Sequence, residues 1–299
     1  MNPVHAAILT GRPPCRRRKS RAAAAESASG ILPRVHAGQA DGSRSHFHWA
    51  GGSGLLPETV VLGPLPLSSG FRAHERPPAP HPNLTCRVKT FRGGDGLWEN
   101  YRIEEVATPE AWSTDPELVS RFYNERRKQI MECSPNEAHR IIASLESLFE
   151  VLVITQNIDD LHERAGSTSV LHLHGNIRLA KSSGPNQEAA YYPVNGWELT
   201  KKNQCPEGFR LRPHVVWFGE EVPLYAKALE EIQTAEILVV VGTSLMVYPA
   251  AGLIHYLNPG CDAYLVDPNA HELDVPTRFT CLVATAVEGM KKMREILTS

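Results

Sequence analysis

Side chains able to bind a ribose or an amide follow three apolar segments of this 299-residue chain. Hydroxyls, amides and carboxylates can form those hydrogen bonds, and a glycine lets a ligand approach the backbone. Each group taken singly is also ordinary turn chemistry, but the agreement of three favours a nucleotide-binding site. The groups are Gln156, Asn157, Ile158 and Asp159 after residues 151–154, Gly242, Thr243 and Ser244 after residues 237–241, and Asp267, Pro268 and Asn269 after residues 264–266.

Two histidines at alternate positions, His172 and His174, precede Gly175. Alternation along an extended chain places both rings on one face. Such a pair could be catalytic, could be satisfied core residues, or could be half of a metal site. No third metal ligand at suitable spacing is evident. The residue types alone leave these interpretations open.

A glycine-rich segment flanked by aromatic residues occupies positions 91–98. By itself it is a weak indication of a phosphate-binding loop, because neither a GxGxxG nor a GxxxxGK[ST] motif accompanies it. The missing GxGxxG motif also disfavours a generic Rossmann dehydrogenase.

The elements that must position these groups alternate along the chain. Asp115-Pro116 and Ser134-Pro135-Asn136-Glu137 are typical helix starts and predict helices that run to about Glu132 and Phe149. The continuous apolar runs at 151–154, 237–241 and 264–266 predict parallel strands covered on both faces. Further helices are expected over 224–233, 249–257 and 287–297. The pattern predicts an α/β doubly wound parallel sheet, whose ligands bind beyond the carboxyl ends of the strands.

The first 90 residues differ from the rest in charge and in composition. They carry 12 Lys and Arg against 4 Asp and Glu, whereas residues 91–299 carry 19 against 29. They also hold 11 of the 23 prolines. Because residues 12–87 show no sustained hydrophobic period, we expect them to be largely disordered, apart from a short strand at Thr59–Leu62.

Composition also bears on the compartment and on partners. No run of 18 apolar residues exists, so no membrane span is expected. The six cysteines are scattered, which predicts free thiols in an intracellular protein of the cytoplasm, a mitochondrion or another organelle. The Arg-, Ala- and Ser-rich stretch 15–30 fits either a transit peptide or a disordered basic tail. Nucleic-acid binding is disfavoured, because no aromatic residues interleave the basic ones at 16–21.

Six motifs, in order and at matching spacing across residues 90–297, resemble the sirtuins, a family of NAD-dependent protein lysine deacylases. The resemblance covers roughly 70% of the chain and implies a Rossmann-like fold with a small inserted module at about 176–211. The motifs are Thr90-Phe91-Arg92 with Gly94-Asp95-Gly96-Leu97-Trp98, Thr155-Gln156-Asn157-Ile158-Asp159, His174-Gly175, Arg212-Pro213-His214-Val215-Val216-Trp217-Phe218-Gly219-Glu220, Gly242-Thr243-Ser244 and Tyr248-Pro249-Ala250-Ala251.

The resemblance implies NAD as the cofactor, and acylated protein lysines as substrates. His174 corresponds to the general base, which we expect to be neutral with a pKa near its ordinary value, and Asn157 and Asp159 correspond to residues that position the ribose and the nicotinamide. The products would be free lysine, nicotinamide and O-acyl-ADP-ribose. The other residues at implied cofactor positions are Thr90, Phe91, Arg92, Asp95, Gly96, Trp98, Gln156, Ile158, Gly242, Thr243, Ser244, Asp267, Pro268, Asn269 and Ala286.

The resemblance is strongest to the bacterial-type class III members, which act as desuccinylases and demalonylases. Their mark is a Tyr and an Arg three residues apart, here Tyr123 and Arg126, which share one helix face. A phenol and a guanidinium could bind the distal carboxylate of succinyl- or malonyl-lysine. By composition alone, the two are an ordinary exposed helix pair. The peptide would add as a strand between 245–247 and a segment with Val216, Phe218, Gly219 and Glu220.

Two departures from the family qualify these expectations. Most sirtuins carry four zinc cysteines in the small module, whereas residues 176–211 contain only Cys205, so no zinc is expected and Tyr191, Tyr192 and Trp197 should pack the module instead. The opening Gly-rich NAD loop is also missing.

The missing loop bears on the domain organisation. Residues 1–11 resemble the first strand of the deacylase domain, 88–299 the remainder, and 12–87 a foreign insertion. The alternative function is therefore a catalytically impaired, sirtuin-like peptide-binding protein.

Overall fold

The computed structural model describes residues 101–243, 245 and 247–299, together with the backbone of residues 58–63 and 97–98. The predicted first strand at residues 1–11 and the basic stretch 15–30 lie outside the described residues. The elements, in chain order, are β1 (Glu58–Gly63), β2 (Leu97–Trp98), β3 (Tyr101–Arg102), α1 (Ile103–Val106), α2 (Pro109–Thr114), α3 (Pro116–Glu132), α4 (Glu137–Leu145), β4 (Glu150–Thr155), α5 (Leu161–Ala165), β5 (Val170–His172), β6 (Gly175–Ser182), β7 (Tyr191–Pro193), β8 (Leu211–Val215), α6 (Tyr225–Thr234), β9 (Ile237–Val241), a 3₁₀ helix (Ala250–Tyr256), β10 (Asp262–Val266), β11 (Phe279–Leu282) and α7 (Ala286–Thr298).

A six-stranded sheet in the order β11-β10-β9-β1-β4-β5 carries the fold. Its β4–β5, β9–β10 and β10–β11 pairs are parallel, as the continuous apolar runs predict. Strand β1 is the exception, because it lies antiparallel between β4 and β9. It contains the strand expected at Thr59–Leu62 and extends it by one residue at each end.

Helices cover both faces of this sheet. Helices α4 and α7 pack on one face in a cluster that includes Ile237, Val239 and Val241. The alternate residues Leu238 and Val240 point to the other face, where α6 and the 3₁₀ helix cover them. Each fully buried Val or Leu contributes about 1.5–3 kcal/mol of transfer free energy. The burial of β9 on both faces explains why this strand reads as an unbroken apolar run.

Capping side chains set the starts of the two longest predicted helices. Asp115 accepts a hydrogen bond from the Leu118 N–H at 2.9 Å and Pro116 occupies the first helical position, as predicted for α3. Helix α4 begins two residues later than expected, because Asn136, not Ser134, accepts the N–H of His139 at 3.2 Å. Residues predicted as a helix at 249–257 form a 3₁₀ helix.

The small module is a three-stranded antiparallel sheet in the order β7-β6-β8. Its apolar core consists of Ala180, Val194, Leu199, Cys205 and Leu211, with Tyr192 packed against it. The expected packing role is wrong for Tyr191 and Trp197, which lie largely at the surface. The Tyr191 ring packs on the His214 ring, with the ring centres 4.0 Å apart. The Lys128 ammonium lies 5.5 Å from the centre of the Trp197 ring.

Buried polar groups of α3 attach the small module to the rest of the domain. The Asn124 side chain donates to the Leu199 carbonyl at 3.0 Å and accepts the Leu199 N–H at 2.9 Å. The Arg127 guanidinium donates to the carbonyls of Ile177 and Trp197 at 2.6 and 2.8 Å. Burial lowers the pKa of Arg127 to about 10, so it remains charged at neutral pH.

Two further sequence expectations concern cysteines and membranes. Cys205, Cys261 and Cys281 are free thiols, but Cys133 is disulfide-bonded, so the expectation of free thiols is wrong at that position. In the part of the chain that the structure describes, no helix combines the length and the apolar character needed to cross a bilayer.

Candidate functional site

The carboxyl ends of β4, β9 and β10 lie at one edge of the central sheet and bring the predicted polar groups to that edge. Gly242 adopts a φ of 64° and donates its N–H to the Val266 carbonyl at 2.8 Å. The buried Thr243 hydroxyl accepts the N–H of Leu245 at 2.9 Å. The buried Asp267 carboxylate accepts the N–H of Asn269 at 2.7 Å, and burial raises the pKa of Asp267. Ser244 lies outside the described residues.

The loop after β4 is held by its own side chains and by the small module. The Asn157 N–H donates to the Thr155 hydroxyl at 3.0 Å, and Asp159 accepts the Leu161 N–H at 3.0 Å. The Ile158 carbonyl accepts the N–H of Ile177 at 2.7 Å. The buried Gln156 Oε1 has no hydrogen-bond partner among the described residues. A buried amide oxygen without a partner costs free energy, so Gln156 is suited to a ligand with a donor group.

The histidine pair, His172 and His174, contacts two successive carbonyls of this loop. His174 Nδ1 lies 3.2 Å from the Gln156 carbonyl oxygen, and His172 Nδ1 lies 3.2 Å from that of Asn157. Carbonyls only accept hydrogen bonds, so each Nδ1 carries the proton. Burial lowers the pKa of His174 to about 4, well below the ordinary value that the sequence suggested, so its Nε2 is unprotonated at neutral pH.

Gly175 lets the backbone of the histidine pair pass close to β8. Its φ is +85°, and an added Cβ would lie 2.2 Å from the His214 carbonyl oxygen. We predict that Gly175→Ala lowers the free energy of unfolding by about 1–3 kcal/mol more than a substitution that only strains the backbone. Urea denaturation of the purified variants measures this difference.

Gly208 supplies the matched control for that prediction. Its φ is +84°, but nothing lies within 4 Å of the position where a Cβ would be. Gly208→Ala therefore retains the backbone strain and lacks the clash. Equal destabilisation by the two substitutions would show that the close approach of β8 does not limit position 175.

Tyr123 and Arg126 lie on the buried side of α3, with 0% and 3% of their surface exposed. The alternative of an ordinary exposed helix pair is therefore wrong. The Tyr123 hydroxyl accepts the indole N–H of Trp217 at 3.1 Å, and burial raises the pKa of Tyr123, which keeps the phenol protonated. The Arg126 guanidinium lies 4.6 Å from the centre of the Phe122 ring. Ile158 packs on the same apolar cluster as Tyr123, so α3 and the loop after β4 share it.

The segment after β8 joins the histidine pair to the expected peptide-binding edge. The Val216 N–H donates to the His174 carbonyl at 2.9 Å, and the Phe218 N–H donates to the Ala107 carbonyl at 3.0 Å. Gly219 has a φ of +89°. Phe218 is 38% exposed. The opposite edge at 245–247 is only partly visible, because residue 246 lies outside the described residues.

The carboxylate of Glu220 holds this segment in place. It accepts hydrogen bonds from both terminal nitrogens of Arg212 at 2.6 and 2.9 Å and from the Trp217 N–H at 2.8 Å. The Arg212 guanidinium in turn stacks 3.3 Å from the centre of the Trp217 ring. Sequence reasoning assigned Glu220 to substrate and gave Arg212 no role. The structure instead commits the Glu220 side chain to the loop, and the Glu220 N–H donates to the Trp217 carbonyl at 3.0 Å.

Other predicted cofactor residues have less defined positions. Ala286 is the first residue of α7 and is buried in the apolar cluster that includes Val241, Val266 and Met290. Pro268 and Asn269 follow Asp267 directly and are exposed. The backbone of Trp98 belongs to β2, without a described side chain. Thr90, Phe91, Arg92, Asp95 and Gly96 lie outside the described residues.

The fit of a metal ion can be judged for the described ranges only. Within residues 101–243, 245 and 247–299, no group of three or more His, Cys, Asp and Glu side chains could hold a metal ion. Cys205 instead lies 3.4 Å from the Ser182 hydroxyl in the core of the small module.

Two partly buried, neutral histidines predict a pH-dependent stability. The folded-state pKa values of His174 and His214 are both lowered to about 4, by burial first and, for His214, by the charge of Lys181 second. The unfolded chain binds protons at these histidines below its pKa of about 6.5, whereas the folded chain does not until pH reaches about 4. Stability should therefore fall as pH falls from about 6.5 towards 5.

Urea denaturation at several pH values tests this expectation. His174 alone should contribute a slope of up to about 1.4 kcal/mol per pH unit, and His174→Asn should remove that contribution. Identical pH slopes for the wild type and the variant would show that His174 is not held neutral by burial.

Comparison with known proteins agrees with this geometry. A family model described as "Sir2 family" matches residues 84–249. A protein named "NAD-dependent protein deacylase" from Bacteroides thetaiotaomicron is 43% identical over 213 residues, which are 70% of this chain and 91% of that protein. A protein of the same name from Helicobacter pylori is 43% identical over 209 residues, 69% of this chain and 89% of that one.

Solved structures are similar in fold and sequence. A Sir2 homologue in complex with NAD is 36% identical, has a TM-score of 0.61, and is matched over 71% of this chain and 84% of its own. A complex described as Sir2, p53 peptide and NAD⁺ is 31% identical with a TM-score of 0.53, over 62% of this chain and 80% of its own. The predicted Rossmann-like α/β fold and the predicted family are confirmed: the chain belongs to the Sir2 family, the sirtuins.

Proposed function

We propose that this chain removes acyl groups from lysine side chains of proteins in an NAD-dependent reaction, with succinyl and malonyl groups preferred over acetyl. The observation that carries the proposal is the state of His174. Its Nδ1–H is bonded to the Gln156 carbonyl at 3.2 Å and burial keeps the ring neutral, so Nε2 is free of a proton. A neutral imidazole in a fixed tautomer suits a general base. The neighbouring Gln156 amide can accept a hydrogen bond from a ligand.

The residues at the sheet edge fit NAD. Gln156 would accept a hydrogen bond from the cofactor through its buried, unpartnered Oε1, and Asn157 and Asp159 would orient the ribose and the carboxamide. Gly242, Thr243 and Ser244 would lie against the adenosine half, with Asp267 facing a ribose hydroxyl. When bound, NAD supplies an electrophilic ribose carbon whose leaving group is nicotinamide.

The protein's own groups then handle protons and position. His174 accepts a proton from a ribose hydroxyl at Nε2, while its Nδ1–H stays bonded to Gln156 and prevents a change of tautomer. The bond from the Val216 N–H to the His174 carbonyl ties the base to the segment where the peptide would add. Because this bond holds His174 next to the peptide-binding segment, an acyl-lysine bound there would lie close to the loop after β4.

The acyl preference rests on the buried pair on α3. The Arg126 guanidinium is 3% exposed, and a guanidinium in such a water-poor site can bind the distal carboxylate of a succinyl or malonyl group through charge-assisted hydrogen bonds. The Tyr123 phenol stays protonated and can donate to the same carboxylate. An acetyl group offers no charge to this pair.

We also propose that residues 88–299 form the deacylase domain, which begins with residues 1–11, and that residues 12–87 interrupt it. The family model supports the boundary near residue 88, because its match starts at residue 84. Within residues 12–87, β1 still contributes a strand to the central sheet. Reading the transcript across codons 11 to 88 tests the proposal, since a continuous message that retains all the intervening codons would count against it.

A second candidate function, peptide binding without NAD turnover, is favoured by the direction of β1. Because β1 is antiparallel, Glu58 at its start pairs with Thr155 and Val241 at the cofactor edge, and Gly63 at its end pairs with Glu150 at the opposite edge. The carboxyl end of β1 therefore does not lie at the edge where N–H groups directly after a strand would face a pyrophosphate. Each lost charge-assisted hydrogen bond would weaken NAD binding by about 1.5–3 kcal/mol.

Calorimetry and an activity assay separate the two candidate functions. An NAD titration of the full chain should give saturable heat, and NAD with a succinyl-lysine peptide should give free nicotinamide. Gln156→Ala should weaken NAD binding, whereas Gln187→Ala, a substitution in the small module, should not. Peptide binding without NAD binding would instead support the second candidate.

A further inference from the structure

We propose that Glu163 and His172 form an ion pair that positions the Asn157 carbonyl, and through it the NAD loop after β4. This inference rests on the proposed function, in which that loop orients the cofactor. Both are positioning residues, because neither is argued to touch the substrate or the reacting atoms. The histidine pair then combines a neutral base, His174, with a charged anchor, His172.

The distances around the His172 ring fit protons on both of its nitrogens. Nε2 lies 2.7 Å from the Glu163 Oε1, and Nδ1 lies 3.2 Å from the Asn157 carbonyl oxygen. Both partners are acceptors when the carboxylate is ionised, and only imidazolium donates from both nitrogens. The Asn176 amide nitrogen also lies near Nε2, but at 3.3 Å, so the carboxylate is the nearer partner.

The charged and titratable groups that face His172 agree with this assignment. Burial alone would lower the pKa of His172, but the hydrogen bond and charge of Glu163, the Asn157 carbonyl and the charge of Asp159 together raise it. Burial likewise opposes the charge on Glu163, yet its bond to His172, with a contribution from His162, lowers the pKa of Glu163. His214, on β8, is held neutral and so adds no competing charge near neutral pH.

The ion pair also explains why the loop needs two histidines. The rings hold the carbonyls of Gln156 and Asn157, which are adjacent along the chain. If His172 loses its proton, one of its two hydrogen bonds must be lost, and the Asn157 carbonyl is the weaker of the two partners. The base His174 would be unchanged, but the side chains that orient NAD would be less well ordered.

The test uses Glu163→Gln, which removes the charge and keeps an amide oxygen, and Glu163→Ala as a second variant. Glu146→Gln is the matched control, since the Glu146 carboxylate accepts the Thr168 N–H and hydroxyl at 2.8 Å away from the NAD loop. Nitrogen-15 NMR of the ring identifies the protonation state of His172, and amide hydrogen exchange reports on residues 156–159.

In the wild type we expect both His172 nitrogens to be protonated at pH 7. Glu163→Gln should lower the pH at which His172 titrates, and should speed exchange at residues 156–159 about tenfold. In activity assays Glu163→Gln should raise the KM for NAD by a similar factor with little change in kcat. As pH is increased, KM should begin to rise at a lower pH in the variant than in the wild type. Glu146→Gln should change none of these.

Three results would overturn the inference: a neutral His172 at pH 7, an unchanged His172 titration in Glu163→Gln and Glu163→Ala, or equal effects in Glu146→Gln. The NMR and exchange measurements need no turnover. If the wild type releases no nicotinamide, the proposed function fails, and these two measurements still decide the role of the ion pair.

Discussion

Replacement of His174 with alanine is expected to lower the rate of nicotinamide release from an acyl-lysine peptide by about 10²–10⁴-fold, the usual contribution of a general base. The ring is held in the required tautomer by the Gln156 carbonyl, and burial keeps its Nε2 unprotonated. Because the pKa of His174 is lowered to about 4, this base should not lose activity by protonation until the pH falls near that value. Initial rates between pH 5 and 8 measure both effects.

His271→Ala is the control for that substitution, because His271 is exposed and its nearest charged partner is its neighbour Glu272. It should retain wild-type activity. A His174→Ala variant that folds, binds NAD and releases nicotinamide at close to the wild-type rate would remove His174 from the mechanism. If activity fell below about pH 6.5, the titratable group responsible would have to be a residue other than His174.

The second large effect concerns the acyl group. Arg126→Leu should lower kcat/KM for a succinyl-lysine peptide by about 10²-fold, because the distal carboxylate loses a charge-assisted partner. The value for an acetyl-lysine peptide should stay level or rise, because an acetyl group has no carboxylate. Tyr123→Phe should give a smaller loss of the same kind and also remove the acceptor of the Trp217 indole N–H.

Arg121→Leu supplies the matched control on the same helix. Arg121 is exposed, whereas Arg126 is buried, so its removal leaves the buried pair intact. Parallel peptides carrying succinyl, malonyl and acetyl groups, assayed with all variants, give the ratio of specificity constants. An Arg126→Leu enzyme that keeps the wild-type ratio would show that the acyl preference is not set on α3.

Local patterns in the sequence predict the elements of this fold well. The unbroken apolar run at Ile237–Val241 is buried on both faces, and Asp115-Pro116 begins α3 as its capping chemistry predicts. The start of α4 was harder to predict, because Ser134 and Asn136 are both good capping residues. Only the hydrogen bond to His139 distinguishes them.

Non-local contacts account for what the sequence could not predict. The apolar segment Thr59–Leu62 predicts a strand, but its place and its antiparallel direction depend on β4 and β9, which are far away in sequence. The burial of Tyr123 depends in the same way on Trp217, in the segment after β8. The role of the Glu220 side chain is also set by a partner, since Arg212 binds its carboxylate, whereas the resemblance implied only that Glu220 lies at the substrate edge.

The candidate site also combines residues that the sequence predicts with properties that depend on non-local contacts. The resemblance of its motifs to the sirtuins pointed to Asn157, Asp159 and His174, and the structure joins their loop to the histidine pair by direct hydrogen bonds. The pKa of His174 could not be predicted, because it depends on how much of the ring is buried. The role of Glu163 needed the structure as well, since it lies nine positions before His172 in the sequence.

The most direct measurement is nicotinamide release by the full chain from a succinyl-lysine peptide in the presence of NAD. An NAD-dependent deacylase should release nicotinamide and free lysine in equal amounts, with O-acyl-ADP-ribose detected by mass spectrometry, and should release none from the unmodified peptide. Absence of nicotinamide release from succinyl, malonyl and acetyl peptides alike, by a chain that is folded and binds peptide, would contradict the proposed deacylase function.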